Sequence, residues 1–249
     1  MPKGRIGFTS LQTLSGVESD EDLVKELKSL TNLRKLYIGR MTWANSKEFC
    51  VSLGEMRNLR SLAIISEDPL ELQLESLSKP PAYLQKLKLQ LSMSRLPKWI
   101  DSLNCLHTLY LFKNLLQEDP FPILQRLPSL VVLTMASSAF LSGPIYCTAQ
   151  GFLKLKLLRI LDMENWLKWM PIEEGTMPSL QYLLIANCPK LTRLPEGFHH
   201  LRALQDLTLM GMSTNFSYRL DGADLWKVSH VREVTMTQLG SKFVWRKSQ

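Results

Sequence analysis

Apolar residues recur along this chain in one fixed frame: an apolar position, two others, an apolar position, one other, an apolar position. Clear copies are Leu33-Arg34-Lys35-Leu36-Tyr37-Ile38, Leu84-Gln85-Lys86-Leu87-Lys88-Leu89, Leu106-His107-Thr108-Leu109-Tyr110-Leu111 and Leu204-Gln205-Asp206-Leu207-Thr208-Leu209. The frame fits ten times, starting at Leu11, Leu33, Leu59, Leu84, Leu106, Leu130, Leu158, Leu180, Leu204 and Val231, with spacings of 22 to 28 residues. Of its thirty positions 29 are apolar, Gly16 being the exception, where a 45% apolar composition would supply fewer than half. The closing apolar-x-apolar alternation predicts a short strand with one buried face, because side chains alternate across a strand. The residues between copies must carry the chain back to start the next parallel strand, which a tight turn cannot do. Segments 23–30, 49–56, 96–103 and 194–201 carry apolar residues every three to four positions. They therefore predict single helical or 3₁₀ turns on the opposite side, with Pro97 and Pro195 suited to their starts.

One such strand cannot hide its apolar face, but strands stacked side by side bury a continuous core. Spacings of this size with this frame mark a leucine-rich repeat, in which each repeat is one coil. The predicted fold class is α/β: a right-handed leucine-rich-repeat solenoid, or horseshoe, with a parallel concave β-sheet, short helical or 3₁₀ convex segments and about ten repeats. Leucine itself, 48 of 249 residues, has its explanation in this period. No linker-like stretch interrupts the array, so residues 1–249 read as one domain, with residues 237–249 as a carboxy-terminal cap or tail in which 243–245 fold back over the last strand. At the other end, Met1-Pro2-Lys3-Gly4 followed by Phe8 and Leu11 resembles the second half of a repeat, so the chain is expected to enter mid-repeat without a polar cap.

Composition narrows the chemistry. Cys50, Cys105, Cys147 and Cys188 are far apart, and no Cys-x-x-Cys pair encodes a zinc clasp or redox dithiol. They are expected to act as small apolar fillers in a reducing compartment. The first residues lack a secretory apolar core. The long uncharged stretch 127–153 is broken by Pro128, Gly143 and Pro144, which argues against a membrane helix. The expected location is cytoplasmic, with no membrane span. Net charge is +7, but basic residues are scattered and often sit beside acids, and the dense cluster is terminal: Lys242, Arg246 and Lys247. No nucleic-acid partner is expected from such a distribution.

The wording of the repeats narrows the family. The stretch from Leu180 through Cys188-Pro189-Lys190-Leu191 and Leu194-Pro195-Glu196-Gly197-Phe198 to Leu204 resembles the repeats of plant intracellular immune receptors, the NLR class. So does Met1-Pro2-Lys3-Gly4 followed by Leu11 and Leu14. The stretch Asp22-Leu23-Val24-Lys25-Glu26-Leu27 through Leu36 resembles the coiled-coil type of disease-resistance receptor in particular. The family's nucleotide-binding module would bring a Gly-x-x-x-x-Gly-Lys-Ser/Thr phosphate loop, and this sequence holds none. The resemblance therefore implies the recognition part alone: a domain that binds pathogen-derived (effector) or host proteins and the receptor's own amino-terminal modules, and that restrains the receptor's switch in defence. Two other readings stay open, a substrate-recognition subunit of a ubiquitin ligase and a truncated, non-functional repeat product.

No enzyme is expected, and neither cofactor nor metal. Gly-x-Ser-x-Gly and His-Glu-x-x-His are absent, and the adjacent His199 and His200 sit in a return turn where they point apart. What the architecture offers is a surface. Residues between and beside the buried leucines face the open concave sheet: Lys35 and Tyr37, then Lys86 and Lys88, then Tyr110 and Phe112, with Asp162, Glu164, Tyr182 and Met210 later. These ten are the candidate protein-binding residues, since exposed aromatics on a rigid sheet anchor interfaces. Lysines come early and acids late. The widest gap, Leu130 to Leu158, predicts an insert over 136–146 at the edge of that face, and Trp166 and Trp169 are expected to fill the core.

Overall fold

A computed structural model describes residues 10–68, 70–141, 143–238 and 241–246, with only the backbone at 238 and 241–246. The expected mid-repeat entry at residues 1–9 lies outside these, as do the side chains of the Phe243–Trp245 cap and of the terminal basic cluster. The strands are β1 (Thr13–Glu18), β2 (Lys35–Gly39), β3 (Ser61–Ile65), β4 (Lys86–Gln90), β5 (Thr108–Phe112), β6 (Val132–Ala136), β7 (Pro144–Ile145), β8 (Leu157–Leu161), β9 (Lys168–Trp169), β10 (Tyr182–Ala186), β11 (Asp206–Met210), β12 (Glu233–Gln238) and β13 (Ser241–Arg246). Ten of them, β1 to β6, β8 and β10 to β12, line up in chain order as one parallel ladder, and β13 adds antiparallel to β12. β7 and β9 form a separate two-stranded parallel pair.

Register carries the repeat into three dimensions. Leu36 lies opposite Leu62, Leu62 opposite Leu87, and the row continues through Leu109, Leu133, Leu158, Leu183 and Leu207 to Val234. The second row runs from Ile38 through Ile64, Leu89, Leu111, Met135, Ile160, Ile185 and Leu209 to Met236. Both rows are buried, and with the return segments they form one core cluster. Each coil hides its apolar ridge only against its neighbours, which is why so many repeats agree on the same residue types.

The one non-apolar frame position and two expectations come out differently in three dimensions. First, the role left vacant at Gly16 is taken by its neighbour. The β1–β2 register shifts between Ser15 and Val17, Gly16 adopts φ +71°, and Val17 pairs with Ile38. This is a bulge with glycine in the left-handed region, and it moves the apolar role one residue along. Second, the seventh frame starts at Leu155, three residues before Leu158. Leu158 lies opposite Leu133 and Leu183, so it takes the middle position. An odd slip exchanges the two faces of a strand, and the concave residues of β8 become Leu157, Arg159 and Leu161. Third, Leu155 stands 25 residues from both Leu130 and Leu180, so that coil has ordinary length and 136–146 is no insert. Those residues finish β6, bridge Leu116 to Phe140, and supply β7.

The returns vary while the strands repeat. α1 (Glu21–Leu27) starts at Asp20, whose carboxylate accepts from the Leu23 N–H at 2.7 Å. α2 (Trp43–Glu55) is capped by the Thr42 hydroxyl, and its Ser52 hydroxyl donates to the Val24 carbonyl of the coil before at 2.8 Å. Later returns shrink to α3 (Phe121–Leu124) and to 3₁₀ turns at Lys98–Ser102, Phe198–His200 and Leu225–Val228, with α4 (Thr214–Asp221) in the last full coil. Trp166 and Trp169 are both buried, with ring centroids 5.7 Å apart. All four cysteines are free thiols; Cys50, Cys147 and Cys188 are buried, and Cys105 is half-buried.

Candidate functional site

The concave face follows from the ladder. Between the two buried rows, each strand offers one residue before, one between and one after its core pair. Lys35 and Tyr37 stand on β2, Lys86 and Lys88 on β4, Tyr110 and Phe112 on β5, Tyr182 on β10 and Met210 on β11. Tyr37, Tyr110, Tyr182 and Met210 are each exposed over more than a third of their surface. The parallel register makes rows of these as well: Tyr37, Ala63, Lys88 and Tyr110 are successive neighbours, as are Lys35, Ser61, Lys86 and Thr108.

Asp162 and Glu164 do not join this face. Asp162 is the first residue after β8, at φ +54°, and Glu164 lies in the following turn. The same place after the strand is left-handed in other coils, at Arg40, Lys113, Ser137 and Asn187, with Gly211 last. Here the chain turns off the sheet, and single left-handed residues of this kind end the extended run. Asn187 Nδ2 donates to Asp162 Oδ1 at 2.7 Å, tying two of these corners together along the rim.

Removing those acids changes the charge pattern. From β2 through β10 the strands of the main sheet contain Lys35, Lys86, Lys88 and Arg159 and no carboxylate. Among the described residues none of these four cations joins an ion pair. The early acid Glu18 is met by Arg40 at 3.1 Å, and Asp206 by Arg232 at 3.3 Å. The expected split into early lysines and late acids therefore reduces to Asp206 and Glu233 at the far end. Arg159, missed because the seventh frame slipped, carries positive charge into the second half. Val132 and Leu157, the next neighbours after Thr108 in their row, make that middle stretch apolar.

Ionisable groups elsewhere serve the structure. Burial pushes the thiols of Cys50, Cys147 and Cys188 up to about 12, which keeps them protonated and unreactive. Burial also raises the Asp119 carboxyl, opposed by the Phe121 and Tyr146 amides that donate to it. The His199 and His200 rings do not point apart as expected: their centroids lie 4.2 Å from each other, and His200 Nδ1 engages the Ile172 carbonyl at 2.9 Å. Among the described residues no group of three or more His, Cys, Asp or Glu is placed to hold a metal ion, and no helix is long and apolar enough to cross a membrane.

Comparison with known proteins agrees with this architecture. Residues 1–213 match the profile of a family described as "Leucine-rich repeat region". The Arabidopsis thaliana disease resistance protein RPP8 is 31% identical over 234 residues, covering 91% of this chain and 25% of that protein. The Arabidopsis thaliana disease resistance protein RPM1 is 32% identical over 225 residues, covering 89% and 24%. The chain thus spans about a quarter of the length of the curated relatives it matches. Among solved structures, the leucine-rich-repeat ectodomain of the Arabidopsis thaliana receptor kinase GASSHO1/SCHENGEN3 superposes with a TM-score of 0.50 at 19% identity, over 90% of this chain and 29% of that one. That likeness is one of fold.

Proposed function

The chain belongs to the leucine-rich repeat region family, and from that premise we propose that it is the non-catalytic recognition segment of a plant intracellular immune receptor. It binds a pathogen-derived or host protein across its concave face and, joined to a nucleotide-binding module, restrains that module's switch. The observation that carries this reading is the joint one: likeness to disease resistance proteins over nine-tenths of the chain, and a rigid sheet presenting Tyr37, Tyr110 and Tyr182 beside cations without partners among the described residues. Aromatic residues held on a stiff scaffold anchor interfaces at low ordering cost, and the cations beside them add charge complementarity. One core cluster running from Leu11 to Met236 among the described residues supports reading the repeats as one domain. A cytoplasmic location accords with three buried thiols held as free cysteines.

The test is recovery of a protein partner from plant extract on the purified, tagged chain, compared with the K86E/K88E variant. Both lysines stand on the open face of β4, so reversal is expected to change unfolding free energy by no more than about 0.5 kcal/mol while the partner is lost. A partner retained equally by the variant removes the concave-face reading. For restraint, a relative's receptor whose repeats are replaced by residues 1–249 is expected to stay silent without a pathogen signal. Constitutive activity of that chimera refutes the regulatory role.

A further inference from the structure

The unpaired cations of the first half enclose a shaped site. On β3 the two concave residues before and between the core pair are small, Ser61 and Ala63. Ser61 lies between Lys35 and Lys86, and Ala63 between Tyr37 and Lys88. With strands about 4.8 Å apart, this is a trough about 10 Å wide whose floor is Ser61 and Ala63. One wall is Lys35 and Tyr37, and the other Lys86 and Lys88. Every aspartate and glutamate of the chain lies among the described residues, and none stands on β2, β3, β4 or β5. Three ammonium groups thus stand over a narrow floor of small side chains with no internal counter-charge, an arrangement suited to an anionic guest.

A second feature specifies the rest of the guest. Four strand spacings from Ser61 along the ladder, about 19 Å away, stands Leu157, with Val132 beside it on the near side and the half-exposed ring of Tyr182 on the far side. An extended peptide advances about 3.3 Å per residue, so about six residues separate the two features. Resting on the recognition reading above, we propose that the concave face binds one linear acidic-to-apolar protein segment. Its carboxylates enter the Ser61–Ala63 trough between Lys35, Lys86 and Lys88. An apolar side chain about six residues away packs on Val132 and Leu157. Nucleic acid would satisfy the lysines but would leave the apolar half unused.

Synthetic fluorescent peptides titrated against the full chain test this by anisotropy. A peptide with paired glutamates and a leucine about six residues apart is expected to bind saturably and to weaken as salt rises. Binding should fall at least about tenfold in K86E/K88E and measurably in the milder K86Q/K88Q. It should fall likewise when the spacing is cut to about two residues, and in L157E. The charge-matched variant K47E/K98E, altered at exposed lysines on the return segments, should bind as the parent does. Three results overturn the proposal: equal binding of both spacings, equal loss in K47E/K98E, or displacement of the peptide by a single-stranded oligonucleotide at lower concentration than by unlabelled peptide. Failure of the peptide to bind, while K86E/K88E still releases the protein partner, sinks the acidic-segment inference and leaves the recognition reading standing. If that variant also keeps the partner, both fail.

Discussion

The carbonyl oxygen of Ile172 occupies the place that a Cβ on Gly197 would take, and Gly197 itself holds φ +74°. The two residues belong to adjacent coils. The Ile172 N–H is in turn bonded to the Glu196 carbonyl at 2.8 Å, so the backbones are locked at this crossing. Glycine is required here twice over, by conformation and by space. Gly197→Ala is expected to lower unfolding free energy by about 2–4 kcal/mol, read as a shifted urea midpoint. A loss under about 1 kcal/mol would mean that the coils part easily at this point.

Lys227 is the second inter-coil lock, and the chain's apolar pattern does not announce it. Its side chain is 1% exposed, and Nζ donates to Glu196 Oε1 at 2.7 Å, to the Leu194 carbonyl at 3.1 Å, and pairs with the buried Asp224 at 3.0 Å. Removing one partner of a buried pair strands the other. Lys227→Met is expected to cost about 3–5 kcal/mol, and Lys227→Met with Asp224→Leu about half as much or less. If the double variant is no more stable than the single one, the charge pair is not what holds this corner.

Stability should fall in alkali for a stated reason. The thiols of Cys50, Cys147 and Cys188 ionise near 12 in the folded chain because they are buried, against an ordinary value of 9.0. Their raised values favour the folded state fully below pH 9, and that contribution is lost as pH climbs from 9 towards 12. Above pH 9 each thiol withdraws up to about 1.4 kcal/mol per pH unit. Unfolding measured at pH 8 and pH 10 should show the drop, and Cys147→Ala with Cys188→Ala should flatten it. An unchanged slope in that variant assigns the alkaline loss to other groups.

At neutral pH the same burial separates the thiols kinetically. Half-buried Cys105 is expected to react with an aromatic disulfide reagent in the folded chain, and the other three only on unfolding. Rapid modification of all four would show that the coils open readily.

Asn114 is fully buried at the corner after β5, where Nδ2 donates to the carbonyls of Leu89 at 3.1 Å and Leu91 at 3.0 Å. Asn114→Ala leaves two buried acceptors without their donor and should cost about 2–3 kcal/mol. Amide exchange should quicken most in the neighbouring coils, β4 to β6. Uniform quickening along the ladder would contradict a local role.

The amino-acid sequence by itself determined the architecture: a period of 22 to 27 residues ending in apolar-x-apolar admits one arrangement, because a lone one-faced strand must be covered by its copies. It also placed most of the concave residues, since period two assigns each side chain to a face. Where both faces of a strand are apolar, that rule loses its reference. The run Leu155, Leu157, Leu158, Ile160, Leu161 and Met163 satisfies the frame from either Leu155 or Leu158, and only the hydrogen-bonded register with Leu133 and Leu183 selects between them. That selection moved Asp162 and Glu164 off the concave face and put Arg159 on it. The Gly16 bulge and the Lys227 lock were likewise decided in three dimensions, because both depend on what the next coil presents. Local alternation encodes which residues seek burial; the neighbouring backbone alone decides which strand position meets which.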